Sequence, residues 1–272
     1  QSKCLHIERW PNDRNIKEVN NQHAERQRTC LVCDSPMGPA ARLPGLLECR
    51  ACGFYTADMD ISPEEIRNLY GHDYFHGAEY GNYEEEKHAL QINFADRLSE
   101  ILSLPGLPAN ATLFEIGCAY GFFLEMAATD FDAVAGIDIS ADAVAFAQNR
   151  LGLNAVAGDY LKTETPFKPD VICMWDVIEH LERPDLVLEK AFEDLAPGGY
   201  LCITTGDIGS TVARIRGRKW RMIHPPTHLH YFTAKNLARL LHRVGLQPAS
   251  TTYPTVKRTL GSMLFGVFSL RL

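Results

Sequence analysis

Between residues 111 and about 250 the apolar positions fall into short runs that alternate with stretches of helical period. Leu113, Phe114 and Ile116 form an apolar run that stops at Gly117. After Gly121 the pattern changes to Phe122, Phe123, Leu124, Met126 and Ala127, which predicts a strand, a tight glycine turn and a helix. Ala133 to Ile139 predicts a second strand, and Ser140, Asp142 and Gly152 bracket a helix from Ala141 to Leu151. Ala155 to Tyr160 reads as a third strand. Asp170 to Val177 reads as a fourth and runs into Ile178-Glu179-His180-Leu181. Pro184 opens a helix with the stripe Leu188, Phe192 and Leu195; the Pro197-Gly198-Gly199 turn ends it, and Tyr200 to Thr205 is the fifth strand. Asp207 to Pro226 reads as an irregular insertion. The string from His228 to Thr233 then leads into a helix with Leu237, Leu240, Leu241 and Val244 on one face, ended by Gly245. Residues 246–254 and 262–270 are expected to supply the last strands. Alternation of this kind predicts an α/β fold with a mostly parallel, doubly wound sheet.

The first 110 residues follow other rules. Residues 1–29 are polar without a clear period, and a solvent-facing helix over Asp13 to Arg28 is their one candidate element. Ser62-Pro63-Glu64-Glu65 carries a capping box that starts a helix ending at Gly71. An aromatic stretch follows (Tyr70, Tyr74, Phe75, Tyr80, Tyr83, with His72 and His76). Leu90, Phe94, Leu98 and Ile101 then make the buried stripe of a longer helix. The expected division is 1–59, a tail with a small metal-binding module; 60–110, a helical connector or lid; and 111–272, the α/β domain.

Eight cysteines change the picture of that first segment. Cys30-x-x-Cys33 and Cys49-x-x-Cys52, with fifteen residues between the pairs, have the spacing of a zinc ribbon. Four protein ligands leave no open position, so a structural zinc is expected. Cys118, Cys173 and Cys202 sit in apolar patterns as small hydrophobes. Net charge is −7, and residues 60–110 hold ten acids against three bases. Such a balance argues against binding nucleic acid through the overall field. The first twenty residues contain no apolar signal region, and Met263 to Leu272 is too short to span a bilayer, so a cytoplasmic protein is expected.

The turn after the first strand carries the chemistry. A dinucleotide fingerprint would place glycine at positions held here by Gly117, Ala119 and Phe122, and a phenylalanine there argues against NAD. The pattern present is Glu115-x-Gly117-x-x-x-Gly121, with Asp138 ending the next strand 21 residues after Gly117. This resembles motif I of the class I, Rossmann-like S-adenosylmethionine (SAM) methyltransferases, with Ala119 in place of the usual middle glycine. Three further stations match in order: the ribose acid Asp138, the Gly158-Asp159 pair, and the Asp176-Val-Ile-Glu-His-Leu181 string. The resemblance covers about residues 111–250. It implies that Glu115, Gly117, Cys118, Ala119, Tyr120 and Gly121 hold the methionine end of SAM, and that Asp138, Ile139 and Ser140 meet the ribose and adenine face. It further implies that Gly158, Asp159 and Tyr160 meet the adenine edge, with Met174, Trp175 and Asp176 lining the pocket near the methyl group.

If the acceptor is a hydroxyl, a base must take its proton. His180, His228 and His230 are the candidates, with His224 nearby; in the alternating His228-x-His230 pair one ring is expected to face inward and the other outward. The basic run Arg214 to Arg221 is either a solvated face or a site for a phosphate-bearing acceptor. The function expected from the resemblance is methyl transfer to a small molecule such as a sugar, nucleotide-sugar or secondary metabolite. The alternatives are an RNA methyltransferase that uses the ribbon for nucleic-acid contact and a non-catalytic SAM-binding adaptor.

Overall fold

A computed structural model describes residues 2–9, 29–60, 62, 65, 84–254 and 257. The helix expected over 13–28, most of the one from 62 to 71, the aromatic stretch 70–83 and the strand expected over 262–270 lie outside the described residues. At the start of that second helix the capping box is formed: Ser62 N–H donates to Glu65 Oε2 (2.8 Å) and Glu65 N–H to Ser62 Oγ (3.2 Å). The chain divides into two compact units, Gln1–Ile61 with Lys168–Pro254 and Ser62–Phe167 with Thr255–Leu272.

The Ser62–Phe167 unit holds three parallel strands, β5 (Thr112–Ile116), β6 (Ala133–Asp138) and β7 (Ala155–Ala157), in that spatial order. Glu115 lies opposite Gly136, and Asp138 opposite Ala157. Helix α1 (Lys87–Leu102) buries the predicted Phe94, Leu98 and Ile101. It packs on α2 (Phe122–Ala127), with Phe94 edge-on to Phe123 and Lys87 paired to Glu125. Helix α3 (Ala141–Leu151) begins at Ser140, whose side chain accepts from Ala143 N–H, and ends at Gly152 with φ +67°. Both signals were legible in the chain.

The other unit contains β8 (Val171–Trp175) and β9 (Tyr200–Gly206), which run parallel. The strand next to β9 is β1 (Ser2–Arg9), antiparallel to it and antiparallel to β11 (Leu246–Thr252) on its other side. The sequence pattern gave no element there. Lys3, Cys4, Leu5, His6 and Ile7 are all buried, so an interior strand covered on both faces shows no alternation, and its lysine and histidine read as surface residues. Around these strands lie α4 (Pro184–Asp194), α5 (Thr211–Arg216) and α6 (Ala234–Arg243). Helix α5 falls in the stretch expected to be irregular, and Ser210 caps it.

The cysteine pairs belong to a second sheet in this unit. It is built from β2 (Gly38–Pro39), β3 (Leu46–Glu48), β4 (Tyr55–Ala57) and β10 (His230–Tyr231), in the order β10-β4-β3-β2. Its core mixes Ala40, Leu43, Leu46 and Ala57 with Ala213, Trp220 and Tyr231, so the ribbon and the insertion after β9 share one apolar interior. Leu5, fully buried in β1, tests whether the first strand is integral: Leu5→Ala should lower unfolding free energy by about 2–5 kcal/mol in urea titration.

Candidate active site

In the Ser62–Phe167 unit the predicted turn is built on left-handed backbone. Gly117, Ala119 and Gly121 have φ of +76°, +47° and +78°. For Ala119 that conformation costs roughly 1–3 kcal/mol, a strain that marks functional loops. Gly117 and Cys118 N–H both donate to Ile137 O (2.8 and 3.1 Å). Ala119 N–H donates to Asp138 Oδ2 (2.8 Å) and Ser140 N–H to Asp138 Oδ1 (2.9 Å), so one carboxylate ties the turn to the next strand. A Cβ on Gly121 would stand 2.5 Å from Leu153 Cδ1, and one on Gly136 would stand 2.8 Å from Cys118 Cβ. Only glycine allows those two approaches.

Glu115 is buried, and its Oε2 has no hydrogen-bond partner among the described residues; burial, with Asp138 nearby, pushes its pKa well up. Burial also raises Asp138, against the hydrogen bonds from Ser140 and Ala119. Tyr120 stacks on Phe146 at 4.5 Å, and Ile139 is 39% exposed beside Asp138. Asp159 Oδ1 accepts from Leu161 N–H (3.0 Å), while Lys162 pairs with its Oδ2 at the surface; Gly158 precedes it and Tyr160 is buried. The predicted residues of this unit thus gather at the C-terminal ends of three adjacent parallel strands, where open α/β sheets bind ligands.

The remaining candidates lie in the other unit. Met174 and Trp175 are buried at the end of β8. Asp176 follows at φ +55°, its N–H reaching Thr204 O (3.1 Å) and Oγ1 (2.9 Å). Beyond them is a small pocket lined by Glu179, Thr205, Trp220, Met222, His228 and Tyr231, among others. Ligand-capable atoms of Glu179, His180 and His228 all lie within 4.8 Å of one another, a spacing that could also hold a metal ion. A carbonyl can only accept, so His180 Nδ1 carries a proton for Thr227 O (2.7 Å), and His228 Nδ1 carries one for Met222 O (2.9 Å). The lone pair of neutral His228 is therefore on Nε2. Burial, with the neighbouring His180 and His224, pulls His228 down to about 2; burial also pulls His180 to about 4.

His230 is different. Its Nε2 faces Glu182 O (3.4 Å), and its Nδ1 lies 3.0 Å from Thr56 Oγ1, so both ring nitrogens are engaged by the protein. The expected inward and outward pair is not found: His228 and His230 are both 6% exposed. His228 precedes the two-residue strand β10, so strand alternation does not govern it.

Sequence reasoning did not single out two buried charges here. Burial, with the Asp176 carboxylate, pushes Glu179 up to about 8, and neither of its carboxylate oxygens makes a well-formed hydrogen bond among the described residues. Its signal was present in the Glu-His pair after the fourth strand. Lys3 is fully buried, donates to Phe232 O (3.3 Å) and is pulled by burial to about 8 against the Asp207 and Glu179 charges. Nothing in a polar first segment distinguished it.

The four ribbon cysteines converge, with all Sγ atoms within 4.8 Å of one another. Cys30 and Cys52 sulfurs are 3.5 Å apart, and those of Cys33 and Cys49 are 3.4 Å apart. Burial, with the adjacent Cys33 and Cys49 thiols, pushes Cys52 up to about 12.

Comparison with known proteins agrees with this geometry. A family model described as a methyltransferase domain matches residues 83–251. The chain belongs to that family, the class I SAM-dependent methyltransferases. The ubiquinone biosynthesis O-methyltransferase of Paraburkholderia phytofirmans is 27% identical over 154 residues, 52% of this chain and 66% of that protein. The Nitrosomonas europaea protein of the same description is 26% identical over 127 residues, 44% of this chain and 52% of its own. The chain therefore spans about half to two thirds of the length of these relatives. Magnesium protoporphyrin IX methyltransferase from Synechocystis PCC 6803, solved with bound SAH, shares the fold: TM-score 0.54 at 18% identity, over 71% of this chain and 94% of that one. Among the described residues no helix is long and apolar enough to cross a membrane.

The histidine pocket makes a pH prediction. His228 stays neutral in the folded protein to about pH 2 but takes up a proton near 6.5 when unfolded. Below that pH the unfolded chain binds more protons, so stability falls with acidification. In His228→Gln the slope of unfolding free energy between about pH 4 and 6 should be shallower by about 1.4 kcal/mol per pH unit, read from urea titrations at several pH values.

Proposed function

We propose that this methyltransferase moves the methyl group of SAM to a hydroxyl of a small-molecule acceptor, with His228 as base and Glu179 beside it. The observation that carries this is the fixed tautomer of His228, which leaves an unprotonated Nε2 lone pair in a pocket that also contains a buried carboxyl. Oxygen as the acceptor atom draws support from the O-methyltransferase description of the relatives. The basic run Arg214 to Arg221 leads straight into the pocket-lining Trp220 and Met222, which supports a phosphate-bearing acceptor met in the cytoplasm.

The residues present suit the cofactor. Glu115, a buried carboxyl whose Oε2 lacks a partner among the described residues, suits an ammonium group. Asp138 keeps acceptor capacity for ribose hydroxyls, and the exposed Ile139 offers an apolar face to adenine. Gly117 to Gly121 would receive the methionine end, with Asp159 toward the adenine amino group and Met174, Trp175 and Asp176 toward the methyl. When bound, SAM supplies an electrophilic methyl on a good leaving group, so the protein's task is chiefly alignment and proton removal. His228 Nε2 would accept the acceptor's hydroxyl proton as its oxygen attacks. Glu179, raised to about 8, would stabilise the resulting imidazolium once it has lost its own proton. Trp220, Met222 and Tyr231 line the same pocket and would limit water at that transfer.

Cys30, Cys33, Cys49 and Cys52 suit a structural zinc, since a tetrahedral ion with bonds of about 2.3 Å brings sulfurs to roughly 3.8 Å separation. The metal would hold together a module too small to do so through its own core.

Asp138→Ala should weaken SAM binding in calorimetry by about 1.5–3 kcal/mol. His228→Gln should leave SAM affinity alone and slow methyl transfer by about 10²–10⁴-fold in a SAH-release assay over hydroxylated aromatics, sugars and nucleotide-sugars. Undiminished turnover in that variant would remove His228 from the chemistry, and SAM binding with no turnover of any acceptor would favour an adaptor.

A further inference from the structure

Resting on the acceptor-site reading above, we propose that Thr56 and Phe54, both in the cysteine-ribbon module, are positioning residues for the His228–Glu179 pair, acting through His230. Strand β10 is an edge strand of the ribbon sheet, with His230 opposite Thr56 and Tyr231 opposite Tyr55. Ala57 N–H and Thr56 Oγ1 both donate to Leu229 O, at 2.8 and 3.0 Å. Glu182 O takes the His230 Nε2 proton, so the Nδ1 lone pair, 3.0 Å from Thr56 Oγ1, shares that hydroxyl's one proton with Leu229 O, and the ring stacks on Phe54 at 5.5 Å. On its other side the same peptide grips the acid: Leu229 and His230 N–H both donate to Glu179 O, at 2.9 and 3.0 Å. Tyr231 Oη donates to His228 O (2.8 Å), closing the link to the base.

The ribbon end of this relay is anchored where the cysteines are. Phe54 is fully buried and its carbonyl accepts from Cys49 N–H (2.8 Å), while Asn236 Nδ2 donates to Gly53 O (3.1 Å). The cysteine module thereby backs the strand whose His230 and Tyr231 line the acceptor site, and two of its side chains decide where the general base stands. A hydroxyl at position 56 and an aromatic ring at 54 are the specific requirements.

The test uses the full chain with ¹⁵N-labelled histidine, whose ring nitrogen shifts report tautomer and hydrogen bonding. Thr56→Val keeps the volume and loses the hydroxyl, and Thr56→Ser keeps the hydroxyl. Phe54→Leu serves as a second probe should the valine variant fold poorly. In Thr56→Val, the His230 Nδ1 resonance should shift as it loses the hydroxyl beside it and the His228 resonances should move with it, at unchanged metal content and unchanged SAM affinity by calorimetry. Thr56→Ser should restore both, and Phe54→Leu should shift the same two rings. His228 resonances that superimpose on wild type in Thr56→Val and Phe54→Leu, or a serine variant that behaves like valine, would overturn the proposal. The acid–base reading fails separately, through undiminished methyl transfer in His228→Gln, which leaves these spectral outcomes untouched.

Discussion

The carbonyl oxygen of Glu179 accepts two backbone N–H groups, from Leu229 and His230, and the arrangement of the pocket depends on that fork. Buried peptide groups must find partners, so the segment after the insertion cannot drift from the strand-end segment carrying Glu179 without leaving N–H groups unsatisfied. Its other edge pairs with the ribbon strand β4. Two chain segments about fifty residues apart, and a third more than a hundred residues before them, are held to one another through backbone hydrogen bonds. Side-chain chemistry at Glu179 and His228 is built on that frame.

At the pocket His228 touches two further imidazoles, with ring centroids 4.5 Å from His180, edge-on, and 3.9 Å from His224. Burial disfavours the charged form, and the neighbouring imidazoles add to it, so His180 and His228 are pulled far below their ordinary range and stand neutral. Neutral rings leave a lone pair for proton abstraction. In the same pocket burial pushes Glu179 the other way, up to about 8. Environments that push titratable groups apart are how acid and base roles are assigned within one site.

Backbone strain recurs in each of the two units. Ala119 in the glycine turn and Asp176 after β8 are non-glycine residues at positive φ, each just beyond the C-terminal end of a parallel strand. The left-handed bend at such a point turns the chain sharply, which lets backbone groups rather than side chains face a ligand. At Ala119 the strain is held by the hydrogen bond to Asp138, so the residue expected to meet ribose also holds the turn in shape.

Local pattern alone determined the parallel strands, the helix with its cap at Ser140, and the stripe of α1, because each is local: the apolar face, the capping oxygen and the terminal glycine lie within a few residues of one another. The spacing of Cys30, Cys33, Cys49 and Cys52 likewise announced their convergence. Tertiary structure alone decided the rest. Strand β1 carries no pattern, since its residues 3–7 are all buried in a strand paired on both edges with partners more than a hundred residues away. The fates of His228 and His230 follow from which carbonyls and hydroxyls the fold brings to each ring nitrogen, and Lys3 is buried only because Asp207, Glu179 and Phe232 O are there to receive it. A residue type states what proton chemistry is available; burial and long-range partners decide whether it is used, and neither is written in local order.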